Sequence, residues 1–305
     1  MEVARLVDRY SEALRAVRPQ GASFEIAIAP DSNINQSTRS DTLATILGDF
    51  DIDEESQATS GLGLSLHGQA YRRLALGNSP HTLLVRASGS ANLYKKSRFD
   101  DIALDLAAGP ELEFGSNRLV IEAAATQRWF GLDPYMRSAR LSASLIRPLG
   151  RRMQMQLIGS VGLADYRLND LQDGKTFFGR AKLERALSPT TGIAMNLTAI
   201  RNSAHDPGYS TTEWRTALLA WRDIGRATFT AQAEFGRLQA DDRLLLFPEE
   251  RSDHYYSFSL GATYRRFNFA GFSPVTRISF ERNRSTVEFY DYKRTRTEFG
   301  ITRAF

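Results

Sequence analysis

The chain has no cysteine among its 305 residues. Disulfide staples and thiolate metal centres are therefore excluded, which suits an oxidising envelope compartment. It lacks any run near the ~20 consecutive apolar residues of a spanning helix. It has little charge imbalance, with 39 basic and 35 acidic residues and a net charge of +4, so no electrostatic footprint for nucleic acid is expected. Histidine is scarce: His67, His81, His205 and His254 never fall at i, i+4 spacing, and neither an H-E-x-x-H nor a G-x-S-x-G motif occurs. No catalytic group, metal or cofactor is predicted. After Met1 and Glu2 no apolar run of signal-peptide type follows, and an exported protein with this beginning is expected to be a piece of a longer product.

The mean hydropathy of −0.35 does not argue against a membrane. A spanning β-strand shows lipid only every second side chain, so half of it stays polar. Residues 2–17 have helical spacing, with Val3, Leu6, Val7, Tyr10, Leu14 and Val17 on one face, and Pro19 and Gly21 end the segment. From Gly21 the period becomes two. Phe24, Ile26 and Ile28 begin the pattern, Leu62, Leu64 and Leu66 continue it, and Phe299, Ile301, Arg303 and Phe305 close it, with about fourteen such runs in all. Sustained alternation of this kind predicts an all-β fold, a transmembrane antiparallel β-barrel of about 14 strands with one face in lipid and the other in a lumen. A short N-terminal helix (1–20) precedes the barrel domain (21–305).

Tight, Gly-, Asn- and Pro-bearing links near 76–80, 115–117, 147–152, 187–191, 222–225 and 267–271 alternate with longer polar loops near 31–54, 95–100, 131–134, 165–175, 202–210, 239–253 and 284–293. Short periplasmic turns and longer external loops predict a bacterial outer-membrane protein with both termini periplasmic. Aromatics near strand ends, among them Phe114, Trp129, Trp214, Trp221, Tyr255 and Tyr256, predict two interfacial girdles.

The lumen face should carry Arg86, Glu111, Glu113, Arg140, Arg180, Lys182, Glu184, Glu213, Arg215, Glu234, Arg277, Arg296 and Glu298. A Lys or Arg facing lipid near the midplane would cost roughly 2–4 kcal/mol, so these charges fix which face is wet. They read as a structural network that braces the lumen, or as a polar track for a passenger. Ser252, Asp253 and His254 fall in an expected external loop and carry no predicted catalysis, since sequence neighbours splay apart. The run Asp49, Asp51, Asp53, Glu54 and Glu55 alternates like a calcium loop, but Glu54 stands where glycine is required and Ser60 where a bidentate glutamate is expected.

The segment Pro30, Asp31, Ser32, Asn33, Ile34 and Asn35 at the end of the first run, the hairpin count and a terminal strand bearing Gly300 and Phe305 resemble the C-terminal barrel of the surface lipoprotein assembly modifier family. The resemblance spans 21–305. It implies a fourteen-stranded barrel behind a periplasmic domain of tetratricopeptide-type repeats, and a role in moving lipoproteins to the cell surface. It makes 2–17 the last helix before the barrel. Separately, Gly300, Ile301, Arg303 and the last residue, Phe305, resemble the terminal recognition strand read by the barrel assembly machinery. The repeats are missing from this chain, which predicts a competent barrel and a poor translocator on its own. Expected partners are outer-membrane lipids, that machinery and a lipoprotein passenger; a monomer without nucleic acid is expected. The competing reading is a porin-like diffusion pore, and an outer-membrane enzyme comes third.

Overall fold

The computed structural model describes residues 18–53, 56–267 and 270–304. The helical segment expected at 2–17, as well as Glu54, Glu55 and Phe305, lies outside them. Sixteen strands are present among the described residues: β1 (Gln20–Asp31), β2 (Thr42–Thr45), β3 (Gly48–Asp51), β4 (Gly61–Ala75), β5 (Thr82–Tyr94), β6 (Asp101–Phe114), β7 (Asn117–Phe130), β8 (Asp133–Pro148), β9 (Met153–Tyr166), β10 (Gly174–Ser188), β11 (Thr191–Ala204), β12 (Thr211–Ile224), β13 (Ala227–Arg243), β14 (Glu250–Tyr264), β15 (Ser273–Ser285) and β16 (Tyr292–Ala304). Fourteen of them close into one antiparallel barrel in sequence order, sealed by β1 against β16, while β2 and β3 form a separate two-stranded sheet. Closure leaves no unpaired edge in the wall, which a bilayer demands because lipid cannot hydrogen-bond to backbone.

The period of two becomes an inside and an outside. Leu104, Leu106, Leu141, Val161, Leu163, Leu197, Leu218, Phe258, Ile278, Phe280 and Phe299 stand exposed on the outer wall, where a soluble protein would not leave so continuous an apolar band. The intervening positions hold buried polar side chains, among them Glu25, Ser65, Glu111, Glu122, Thr198, Glu234, Arg277, Arg294 and Glu298.

Six connections and both ends of the barrel chain lie at one rim, the turn end; seven connections lie at the other, the loop end. Lengths do not alternate strictly. The loop expected at 131–134 is a two-residue link, Gly131–Leu132, both at positive φ, whereas the turn-end connection from Arg265 to Phe272 is longer than the motif at 267–271 suggested. The first loop, expected to be irregular, contains the β2–β3 hairpin. Ser252, Asp253 and His254 lie within β14, because β13 and β14 stay paired beyond the band of the wall, with Gln239 opposite Ser252.

Two aromatics expected in the girdles point inward. Trp221 is buried inside the turn end over Gly192, where an added Cβ would sit 1.9 Å from the indole. Tyr255 lies 4.9 Å beneath the Arg215 guanidinium. Phe114, Trp214 and Tyr256 do face outward, Trp214 with 64% of its surface exposed.

Candidate functional site: the braced lumen and its seam

Alternation turns every second side chain of each strand to the lumen, and where charges fall at those positions neighbouring strands bring opposite signs together. On the wall from β4 to β8, Glu111 accepts from Arg73 Nε at 2.9 Å and lies 3.3 Å from Arg118 Nε, with Glu113 at 3.8 Å from the same nitrogen. Arg86 donates to Glu122 at 3.0 Å, and Arg140 reaches Asp105 at 2.7 Å. Arg128 makes two 2.8 Å bonds to Asp101. On the opposite wall Lys182 pairs with Glu184 at 3.2 Å, Arg180 donates to Thr198 at 3.2 Å, and Arg215 bridges Glu213 at 2.5 Å and Glu234 at 3.2 Å. A polar cavity of about 870 Å³ opens along the β1–β4–β5 side, lined among others by Glu25, His67, Arg86, Arg140, Arg294 and Arg296.

The barrel closes where this network is densest. The β1–β16 ladder pairs Ser23 through Ile28 with Ala304 through Phe299, skips Ala29 and Pro30, and resumes at Asp31 opposite Arg296. On its other side β1 pairs with β4 without interruption from Gln20 to Asp31. Pro30 has no N–H to give, and the gap falls on the β16 side. The proline therefore thins one ladder only and leaves the other whole. Gly300 lies opposite Ala27, and an added Cβ there would meet the Ile26 carbonyl oxygen at 2.2 Å, so the strands approach too closely for any side chain.

Side chains hold what the ladder omits. Arg294 donates to Asp31 from Nε at 2.9 Å and from Nη2 at 2.5 Å, and Arg296 lies 3.9 Å from the same carboxylate. Arg277 on β15 joins Glu298 on β16 to Glu25 on β1. Arg296 binds Glu298 at 3.0 Å and reaches over β1 and β4 to Asn92 on β5 at 2.8 Å. The network is not fully satisfied: Arg277 Nε and Arg296 Nε are buried without a hydrogen-bond partner, which weakens it relative to a complete one.

The element after Pro30 fastens this seam to the first loop. Ser32 N donates to the Thr295 carbonyl at 3.0 Å, and Thr295 N donates back to Ser32 Oγ at 2.8 Å. Asn33, with no exposed surface, donates from Nδ2 to the carbonyls of Ser37 and Lys293 at 2.8 and 3.2 Å, while its amide donates to Asp31 Oδ1 at 2.9 Å. Asn35 brackets the returning chain through the Gln57 carbonyl and the Thr59 amide, and Ile34, Asn35 and Gln36 line the cavity.

Glu25, Asp101, Asp105, Arg128 and Asp253 also belong to this interior, and sequence reasoning did not single them out as lumen groups. Register parity identifies Asp105, which shares a strand face with Glu111. Asp253 is buried between Arg251 and Asn283, and strand alternation sends the adjacent His254 to the opposite face. Nearby in the last loop, Arg251 stacks on the Tyr290 ring at 3.5 Å, and burial pushes the Tyr290 hydroxyl pKa up despite that cation. Among the described residues no cluster of His, Asp or Glu could hold a metal ion.

A closed antiparallel wall, apolar outside and braced by ion pairs within, defines an outer-membrane β-barrel protein. The chain belongs to the surface lipoprotein assembly modifier family, whose pattern residues 22–305 match, and its role is in surface lipoprotein assembly. No curated protein matches the sequence. Among solved structures, a FadL homologue of Pseudomonas aeruginosa is 8% identical, with 95% of this chain and 90% of that chain covered and a TM-score of 0.56. An anion-selective porin from Comamonas acidovorans is 10% identical over 94% of this chain and 98% of that one, with a TM-score of 0.49. The FadL likeness shows a shared fold and nothing of function.

Proposed function

We propose that the passenger polypeptide moves along the polar lumen while its lipid anchor stays in the bilayer, and that the β1–β16 seam opens to join the two paths. The supporting observation is the seam itself: a ladder interrupted at Pro30, latched by ion pairs and bordering the lumen cavity. Anchor chemistry makes a lateral path necessary. At about 0.8 kcal/mol per methylene, an acyl chain of ~14 methylenes prefers lipid to a wet lumen by roughly 11 kcal/mol. A polypeptide segment, by contrast, finds hydrogen-bonding partners throughout the lumen.

In this reading the turn end and both termini face the periplasm and the loop end faces outward. The segment from Pro30 to Asn35 is the latch, Gly300 and Phe305 serve insertion by the assembly machinery, and the barrel works as a monomer without catalysis. The segment ahead of β1 serves, in this reading, to join the barrel to the recruiting periplasmic repeats that the resemblance implies. A diffusion pore is the competing reading, and it is disfavoured by the ion pairs and hydrogen bonds that tie the inward side chains to one another, such as Arg296 with Glu298 and Asn92.

The absence of native cysteine permits a direct test. Ile28→Cys with Phe299→Cys, register partners across the seam, is oxidised in cells that express a tagged lipoprotein and a repeat-bearing form of the barrel. Display should stop on oxidation and return on reduction. The pair Leu141→Cys with Val161→Cys, partners across β8 and β9, should leave display intact. Normal display from the oxidised seam would refute lateral opening.

A further inference from the structure

The β2–β3 hairpin is the one sheet outside the barrel wall among the described residues. Its turn is Ile46–Leu47, closed by Thr45, whose Oγ accepts from Leu47 N at 3.1 Å and donates to the Gly48 carbonyl at 2.7 Å; Gly48 takes φ +109°. Its two edges differ. On the β2 side, Ala44 N donates to Glu288 Oε2 at 3.3 Å, and Ile46 N donates to the Leu246 carbonyl at 3.1 Å. These bonds lean the hairpin on two neighbouring loops.

The β3 side is open. Ile52 N donates to the Asp41 carbonyl at 2.7 Å, and antiparallel alternation then turns Phe50 and Gly48 toward β2 and the backbone of Asp49 and Asp51 away from it. Among the described residues nothing hydrogen-bonds to that outer backbone, and all four β3 residues are exposed. Such an edge is normally blunted by lysine, proline or a bulge. This one carries Asp49, Asp51 and then Asp53, with no basic residue from Ser40 to Asp53. The acids oppose pairing with a second copy of the same edge, since like charges across strands repel, and they favour a strand of opposite charge.

We propose that the β3 edge is a docking strand for an extended, basic segment of the passenger, which adds to the hairpin by backbone hydrogen bonds through Asp49 and Asp51. This deepens the translocation reading and rests on it for the identity of the partner.

The test uses the full barrel in lipid nanodiscs and a fluorescent synthetic peptide alternating lysine with threonine or valine, read by anisotropy; its acidic counterpart serves as control. The basic peptide should bind and the acidic one should not. Asp51→Pro removes one outward N–H without touching the β2 ladder and should weaken binding about tenfold. Asp49→Lys with Asp51→Lys should exchange the preference between the two peptides. Absence of basic-peptide binding, or binding unchanged by Asp51→Pro, would overturn docking at this edge. Surface display by the same variants separates the two ideas. Intact display without peptide binding removes the docking strand alone, whereas peptide binding by a barrel that displays nothing when its seam is free removes the translocation reading alone.

Discussion

Asp31 shows what a single residue contributes. Its side chain has no exposed surface and faces two arginines, so its charge is an internal tie between the first strand and the last. Asp31→Asn keeps the shape and removes the charge. Breaking a buried pair costs 3–5 kcal/mol; a value of about 3 kcal/mol is expected here, because Glu281 lies 3.9 Å from Arg294 and can take over part of the pairing. The midpoint of heat-induced unfolding on an unboiled-sample gel should fall, and an unchanged midpoint would contradict the tie. In the sequence Asp31 stands out only as part of the segment from Pro30 to Asn35. Its partner lies 263 positions away, and local pattern carries no information about closure at that distance.

At the scale of elements, the barrel strands were readable because each exposes an apolar stripe to lipid, and a stripe is what period-two reading detects. The β2–β3 hairpin has no such stripe; Asp49 and Asp51 sit in full solvent, and a four-residue solvated strand looks like a loop. Trp221 was misplaced for a different reason. Indole suits a membrane boundary and an inner packing site equally well, and the vacant face of Gly192 that decides between them lies on a neighbouring strand. That pair is testable. Gly192→Val should displace the Trp221 ring and destabilise the barrel by about 1–3 kcal/mol. Combining it with Trp221→Ala should recover part of the loss. A Gly192→Val barrel with unchanged stability and tryptophan emission would contradict the packing described here.

For the whole molecule, the braced lumen predicts a resting barrel that conducts weakly. In planar bilayers the protein should show little steady current. Arg296→Ala, which removes the bridge to Asn92 and a tie to Glu298, should raise it. Large steady conductance in the unaltered protein would favour a diffusion pore. The fold and the membrane class were legible because closure and lipid contact constrain every strand; the seam was not, because its interrupted ladder and the ion pairs that latch it join strands that are neighbours in the barrel but lie at opposite ends of the sequence.

The most direct measurement is a photo-crosslinking map of a passenger arrested during transit. A photoreactive residue is placed in turn at Gln156 and Ser90 in the lumen, at Ile28 on the outer face of the seam, and at Phe177 on the outer wall far from it. Crosslinks to the passenger polypeptide from the lumen positions and to its anchor region from Ile28, with none from Phe177, are the result this account predicts. Crosslinks absent from the lumen, or equal from Ile28 and Phe177, would contradict it.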